Sequence, residues 1–360
     1  MGKRIEYLDT LKGISIILVL FCHYVLLQNE SILGNVVMSV AWAAVPCFFM
    51  VTGGVMHRSE ELNWKKHIRR IIKTYTVLLV WKLLYLLFYS MLNPVNFSKV
   101  ELVKYLFLFG DIANVSTGLM WFMYAYLTAL LFFPVTHFLF RHGKDGRRIL
   151  SFVALLLFSG SILCTFVDFI MEVVSKVFHV NLLSIQNITK ILPFGSYPNM
   201  MFYFVIGAFL FEYRDHIEVW IQKRAYRRYY PVIMMVLGIA GLLLIKFFDT
   251  HSFMWEGIYL TNGYNRFSTC ILAVGLYLTI QNQESNRLSS LLAKYVGTET
   301  MGIYYLHFPI SALLLRWFDS VLRAYYSFGL NLVKTIVVLI MCVLLSRIMK
   351  KVPLVKELVL

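Results

Sequence analysis

Stretches of about twenty predominantly apolar residues recur along this chain, and that recurrence limits its fold before any single residue is weighed. Backbone in hydrocarbon has no water to bond with, so such runs must satisfy their own N–H and C=O groups as helices. Hydrophobic residues make up 59% of the 360 positions and charged residues only 15%, against about 25% charged in soluble domains. The expectation is an all-α polytopic membrane protein with about ten transmembrane helices. They fall near 13–28, 34–56, 74–92, 117–138, 149–170, 197–213, 230–248, 265–281, 300–319 and 329–348. The run at 105–110 is too short to cross and reads as interfacial or re-entrant. No low-complexity segment or internal repeat interrupts the pattern. Residues 1–360 read as a single integral-membrane domain that stops shortly after its last span, with no fused soluble domain.

The net charge of +15 would suit nucleic acid, but its distribution does not. The basic residues cluster in alternate short loops, as the positive-inside rule requires, and no zinc-finger spacing or basic arm accompanies them. Placing the N-terminus inside puts 24 of the 34 Lys and Arg on that side and 6 on the other. Both termini are therefore expected in the cytoplasm. The five cysteines all lie in apolar runs without paired or metal-ligand spacing, so they read as packing residues and no metal is expected.

Ionisable groups at membrane depth are costly and mark a protein interior or a water-filled path. Lys246 and Lys334 stand near the ends of their spans, where snorkelling accounts for them. Lys82 lies nearer the middle of its span. His23 and His307 are too short to snorkel. Eleven residues at about 100° each make roughly three turns, so Lys12 and His23 share one helix face about 16 Å apart along the axis. Asp9 falls within about 40° of that face. Geometry alone leaves two readings open: a histidine hydrogen-bonded to a neighbouring helix beside a flanking lysine anchor, or a basic entrance leading to a buried base.

At this point the chain resembles a known family. LDTLKGISIILVLFCH (8–23) resembles the first-span signature of the acyltransferase 3 family of integral membrane acyltransferases: Leu-Asp-x-Leu-Arg/Lys-Gly, with His eleven positions after the basic residue. PCFFMVTGG (46–54) looks like the family's Phe-Phe-x-x-Ser-Gly segment with Thr52 for Ser. KKHIRRIIKTY (65–75) resembles the basic stretch entering the third span, with Thr74 where Pro is often found. MWFM (120–123) resembles Leu-Trp-Phe-Leu. VGTETMGIYYLHFP (296–309) resembles the late Gly-x-x-Ser-x-x-Ile-Tyr-x-x-His-x-Pro segment, with Thr300 at the usual Ser.

The resemblance implies an O-acyltransferase of the bacterial plasma membrane. It would move an acyl group, commonly acetyl from acetyl-CoA or another acyl-CoA, to a hydroxyl of a cell-surface glycan, lipid-linked sugar or small molecule. It implies His23 as base, with His307 orienting His23 or the acceptor. Lys12, Arg69, Arg70 and Lys73 are then candidates for the donor's phosphates, although cytoplasmic loops are basic in any case. Asp9 would neutralise Lys12 or cap the first helix. Thr52 and Gly53 would allow close helix approach, and Trp121 and Tyr304 would wall the pocket. Membrane lipid surrounds such a protein, and a homo-oligomer is compatible with it. The alternative class is a transporter of a small polar or glycan substrate, which buried charges among ten spans also describe. A sensory or scaffold protein leaves the ordered motifs unexplained.

Overall fold

In a computed structural model, the structure describes residues 5–24, 32–108, 110, 112, 115, 120–180, 182, 185, 191–250, 263–324, 328–353 and 355–359. Every regular element among them is helical. Among the described residues, six helices are long and apolar enough to cross a membrane, and two shorter apolar helices accompany them at Pro198–Glu212 and Phe267–Asn282. The other two expected crossings fall on helices Glu6–Tyr24 and Thr300–Ala324. The short run near 105–110 ends the helix Lys99–Phe107, whose nine residues cannot span a bilayer.

The chain forms two compact units. The first holds residues 1–60, 135–298 and 326–335; the second holds 61–134, 299–325 and 336–360.

In the first unit, α1 (Glu6–Tyr24), α2 (Ile32–Ala41), α3 (Ala44–His57), α7 (Gly143–Phe158), α8 (Cys164–Phe178), α9 (Pro198–Glu212), α10 (Arg214–Gln222), α11 (Tyr230–Thr250), α12 (Phe267–Asn282) and α13 (Arg287–Leu292) follow in chain order. The run expected at 34–56 as one span is broken at Trp42–Ala43 into α2 and α3. Pro46 stands in the first turn of α3, where its missing N–H costs no helical bond. A π turn, Ser159–Leu163, joins α7 to α8, and a second, Ala293–Gly297, follows α13. The side chain of Asn286 accepts from the Ser289 N–H at 2.9 Å and starts α13.

Lipid tails are as apolar as leucine, so helices in a membrane associate through close packing rather than through hydrophobic burial. α3 and α9 show how. A Cβ on Gly53 would stand 1.8 Å from the Phe204 carbonyl oxygen, and one on Gly207 would stand 2.0 Å from that of Met50. The two backbones touch where both helices lack side chains. α11 and α12 pair similarly: a Cβ on Gly275 would meet the Pro231 carbonyl at 2.8 Å. The far side of α11 leaves Val232, Ile233, Val236, Leu237, Leu244 and Phe247 exposed, an apolar face suited to lipid. Lys334 is buried, so snorkelling does not account for it.

The second unit comprises α4 (Trp64–Leu92), α5 (Lys99–Phe107), residues 120–134 of α6 (Met120–Arg141), α14 (Thr300–Ala324) and residues 336–351 of α15 (Phe328–Lys351). The boundary passes through α6 at Pro134. Asn63 caps α4 through Lys66 N–H, and Ser98 with Glu101 forms a capping box on α5. Aromatic contacts bind these helices. Trp81 stacks on Tyr305 at 4.8 Å and 3° and donates to the Leu358 carbonyl at 2.9 Å. The Tyr85 hydroxyl donates to the Tyr305 carbonyl at 2.8 Å.

Candidate functional site

α1 carries Asp9, Lys12 and His23 on one continuous helix. Leu8, Leu11, Ile16, Leu20 and Phe21 of the same helix are buried, Ile16 on the face that Lys12 and His23 share. The start of the helix is held to the segment 285–297 at several points. Ser285 and Ser290 donate to the Glu6 carboxylate, and Thr10 donates to the Ser289 carbonyl at 3.2 Å. A Cβ on Gly297 would stand 2.0 Å from the Asp9 carbonyl oxygen, so only glycine admits this approach.

Lys12 reaches back one turn to Asp9, with 2.5 Å between Nζ and Oδ1. Asp9 is buried and Lys12 half-buried, so the cation is held in place with its carboxylate beside it. His23 is exposed, where the sequence reading expects an enclosed imidazole. It stands one residue before the described end of α1, and the residues at 25–31 that follow lie outside the described ones. Thr52 is half-buried and donates to Phe48 in its own helix at 2.8 Å. Of the expected pair Thr52 and Gly53, it is Gly53 that makes the close helix approach.

In the second unit, Arg69, Arg70 and Lys73 lie in the first three turns of α4. Arg69 is exposed and Arg70 half-exposed. Lys73 is engaged by Glu357 at 2.5 Å. His307 on α14 is fully buried. Its Nδ1 lies 3.0 Å from the Ile303 carbonyl; a carbonyl can only accept, so Nδ1 carries the proton. Nε2 is then the basic nitrogen of the neutral ring. Tyr304 is buried, its ring 6.4 Å from that of His307 and 5.3 Å from Phe122. Trp121 meets Phe122 edge-on at 6.3 Å. Tyr304, His307 and the Trp121–Phe122 pair thus share one neighbourhood within this unit.

Three arrangements were not anticipated from the sequence. Lys82 is fully buried, donates to the Tyr124 hydroxyl at 3.0 Å and lies 4.6 Å from the Tyr105 ring centroid. The Tyr105 hydroxyl in turn donates to the Lys82 carbonyl at 2.9 Å. A lysine in the middle of an apolar run was the signal; its tyrosines were not. Glu299 is buried and accepts from Ser346 at 2.6 Å and Lys350 at 2.8 Å. In the first unit, His57 is buried with Nδ1 2.8 Å from the Gly53 carbonyl, so Nε2 accepts from Thr136 at 2.9 Å.

A helix start bearing an Asp–Lys pair, a histidine eleven residues after that lysine, and a late helix with a buried histidine form a pattern that can be compared with known proteins. A family model described as an acyltransferase domain, that of the acyltransferase 3 family, matches residues 5–350. The chain belongs to this family. No curated protein and no solved structure matches it. As an acyltransferase 3 protein it is a membrane acyltransferase by family, and its long apolar helices agree with that setting. The match runs from one residue before α1 to one before the end of α15, so it takes in both units.

Proposed function

We propose that this protein moves an acyl group, acetyl in the first instance, from cytosolic acyl-CoA to a hydroxyl of a cell-surface glycan, lipid-linked sugar or small molecule. The observation that carries this reading is the family match over residues 5–350, with Lys12 and His23 on one uninterrupted helix. His23 takes the proton from the acceptor hydroxyl. The hydroxyl oxygen attacks the thioester carbonyl, the carbon–sulfur bond breaks, and coenzyme A leaves as a thiolate that the protonated imidazole can neutralise. A base that is neutral near pH 7 suits this step, because an unassisted hydroxyl attacks a thioester poorly. An acyl-histidine relay would use the same imidazole as nucleophile.

Lys12 lies about 16 Å down the helix from His23, too far to share its atoms but within the span of a pantetheine arm. We assign it, with Arg69, Arg70 and Lys73, to the donor's phosphates, where charge-assisted hydrogen bonds are strongest. His307 offers Nε2 to orient the acceptor or His23, and Asp9, Thr52, Trp121 and Tyr304 support the site. The setting is the bacterial plasma membrane with both termini cytoplasmic.

The test uses the purified full chain in liposomes with labelled acetyl-CoA and a panel of glycans. Acetyl transfer that His23→Ala abolishes supports the reading. Substrate movement across the vesicle without acylation overturns it in favour of a carrier.

A further inference from the structure

The helix α7 begins with three cations within six residues, Lys144, Arg147 and Arg148. With Ser151, Phe209 and Tyr213 they line a cleft of about 700 Å³ in the first unit. That lining holds three cations and no carboxylate. Arg147 is fixed in place: it donates to the Phe140 carbonyl at 3.1 Å, the Tyr213 hydroxyl at 3.1 Å and Glu212 at 3.0 Å. Lys144 and Arg148 are exposed, and Arg148 pairs with the exposed Asp145 at 3.0 Å. The positive end of the α7 dipole adds to the field of the three side chains.

What stands above the cations on the same helix face identifies the ligand. Counting about 100° per residue, Lys144, Arg148, Ser151, Phe152 and Leu155 fall on one side of α7. Phe152 and Leu155 are exposed. The face therefore runs from positive charge through one hydroxyl to bare apolar side chains. A soluble phosphate ester would use only its lower end. A membrane phospholipid matches all of it, with an anionic head on the cations and acyl chains along Phe152 and Leu155.

We infer that this face of α7 is a binding site for an anionic phospholipid, its phosphate held by Lys144, Arg147 and Arg148. Tyr213, stacked on Phe209 at 3°, forms the opposite wall, as amphipathic aromatics do at the headgroup level.

The experiment measures lipid adducts by native mass spectrometry on the full chain in neutral detergent. The probes are dioleoyl phosphatidylglycerol, dioleoyl phosphatidylcholine and glycerol phosphate. The phosphatidylglycerol adduct should dominate and resist competition by glycerol phosphate. Replacing Lys144 and Arg148 together by Gln should weaken it on the order of 30-fold, from two headgroup contacts. The charge-retaining pair K144R/R148K should keep it, which separates loss of charge from loss of fold. Equal binding of the two lipids, an adduct undiminished in the Gln variant, or full displacement by glycerol phosphate would each overturn the proposal.

Discussion

The Lys12 ammonium lies 2.5 Å from the Asp9 carboxylate one turn earlier on the same helix, and the Asp9 backbone is itself pressed against Gly297. The cation assigned to the donor is thus placed by a residue that the packing holds still. Under the proposed function, Lys12→Met should raise KM for acetyl-CoA by about 10- to 100-fold, the worth of a charge-assisted hydrogen bond, with a smaller change in kcat. Asp9→Asn should raise KM by a smaller factor, because the ammonium loses the carboxylate that places it. Steady-state transfer kinetics decide it, and an unchanged KM in Lys12→Met removes that residue from donor binding.

The contact of Gly53 with Phe204 and of Gly207 with Met50 leaves no volume for even one methyl group. Gly53→Ala and Gly207→Ala should each destabilise the protein by about 1–3 kcal/mol or more, because backbone rather than a flexible side chain must give way. Thermal unfolding in detergent reads this directly. A midpoint equal to that of the unaltered protein would mean that α3 and α9 do not meet there.

Lys82 and Tyr124 offer a test by double-mutant cycle. Tyr124→Phe takes a hydrogen-bond acceptor from a buried ammonium and should cost about 1–3 kcal/mol. Lys82→Met removes the charge and keeps much of the volume, so it should cost less or stabilise. Tyr124→Phe in the Lys82→Met background should then be nearly silent. Additive effects would show that the 3.0 Å contact carries no energy of its own.

Glu357 gives a pH dependence with a definite sign. The hydrogen bond from Lys73, and then that cation's charge, hold its carboxyl below its usual 4.5. The folded protein binds this proton less readily than the unfolded chain, so the contribution to stability is complete above pH 4.5 and fades as pH falls below it. Both side chains are well exposed, so the effect is small and is read as a difference. The gap in unfolding midpoint between the unaltered protein and Glu357→Gln should narrow from about pH 6 to pH 3. A gap independent of pH would exclude the pair.

The helices were legible because each hydrophobic run is a direct imprint of the bilayer's thickness. The run at 149–170 lies in the structure within a continuous helical stretch over Gly143–Phe178, since polar flanks continue a helix without adding to its hydropathy. The break at Trp42–Ala43 was missed although Pro46 signalled a helix start. Lys12 and Asp9 could be paired from spacing alone, being three residues apart. Lys73 and Glu357 could not: 284 positions separate them, and no local pattern encodes a contact across the chain. Lys82 was conspicuous as a charge in an apolar run, but no local pattern marks Tyr105 and Tyr124, 23 and 42 positions away, as its partners. His23 is exposed although the apolar run around it continues in the sequence through Leu27.

Helices that meet through bare backbone cannot slide or rotate against each other without collision. Within the first unit, α3 with α9 and α11 with α12 therefore behave as two stiff bars. Any breathing of that unit to admit a bulky acceptor must come from hinging between the bars, or from the segments that join them, and never from shear inside either one.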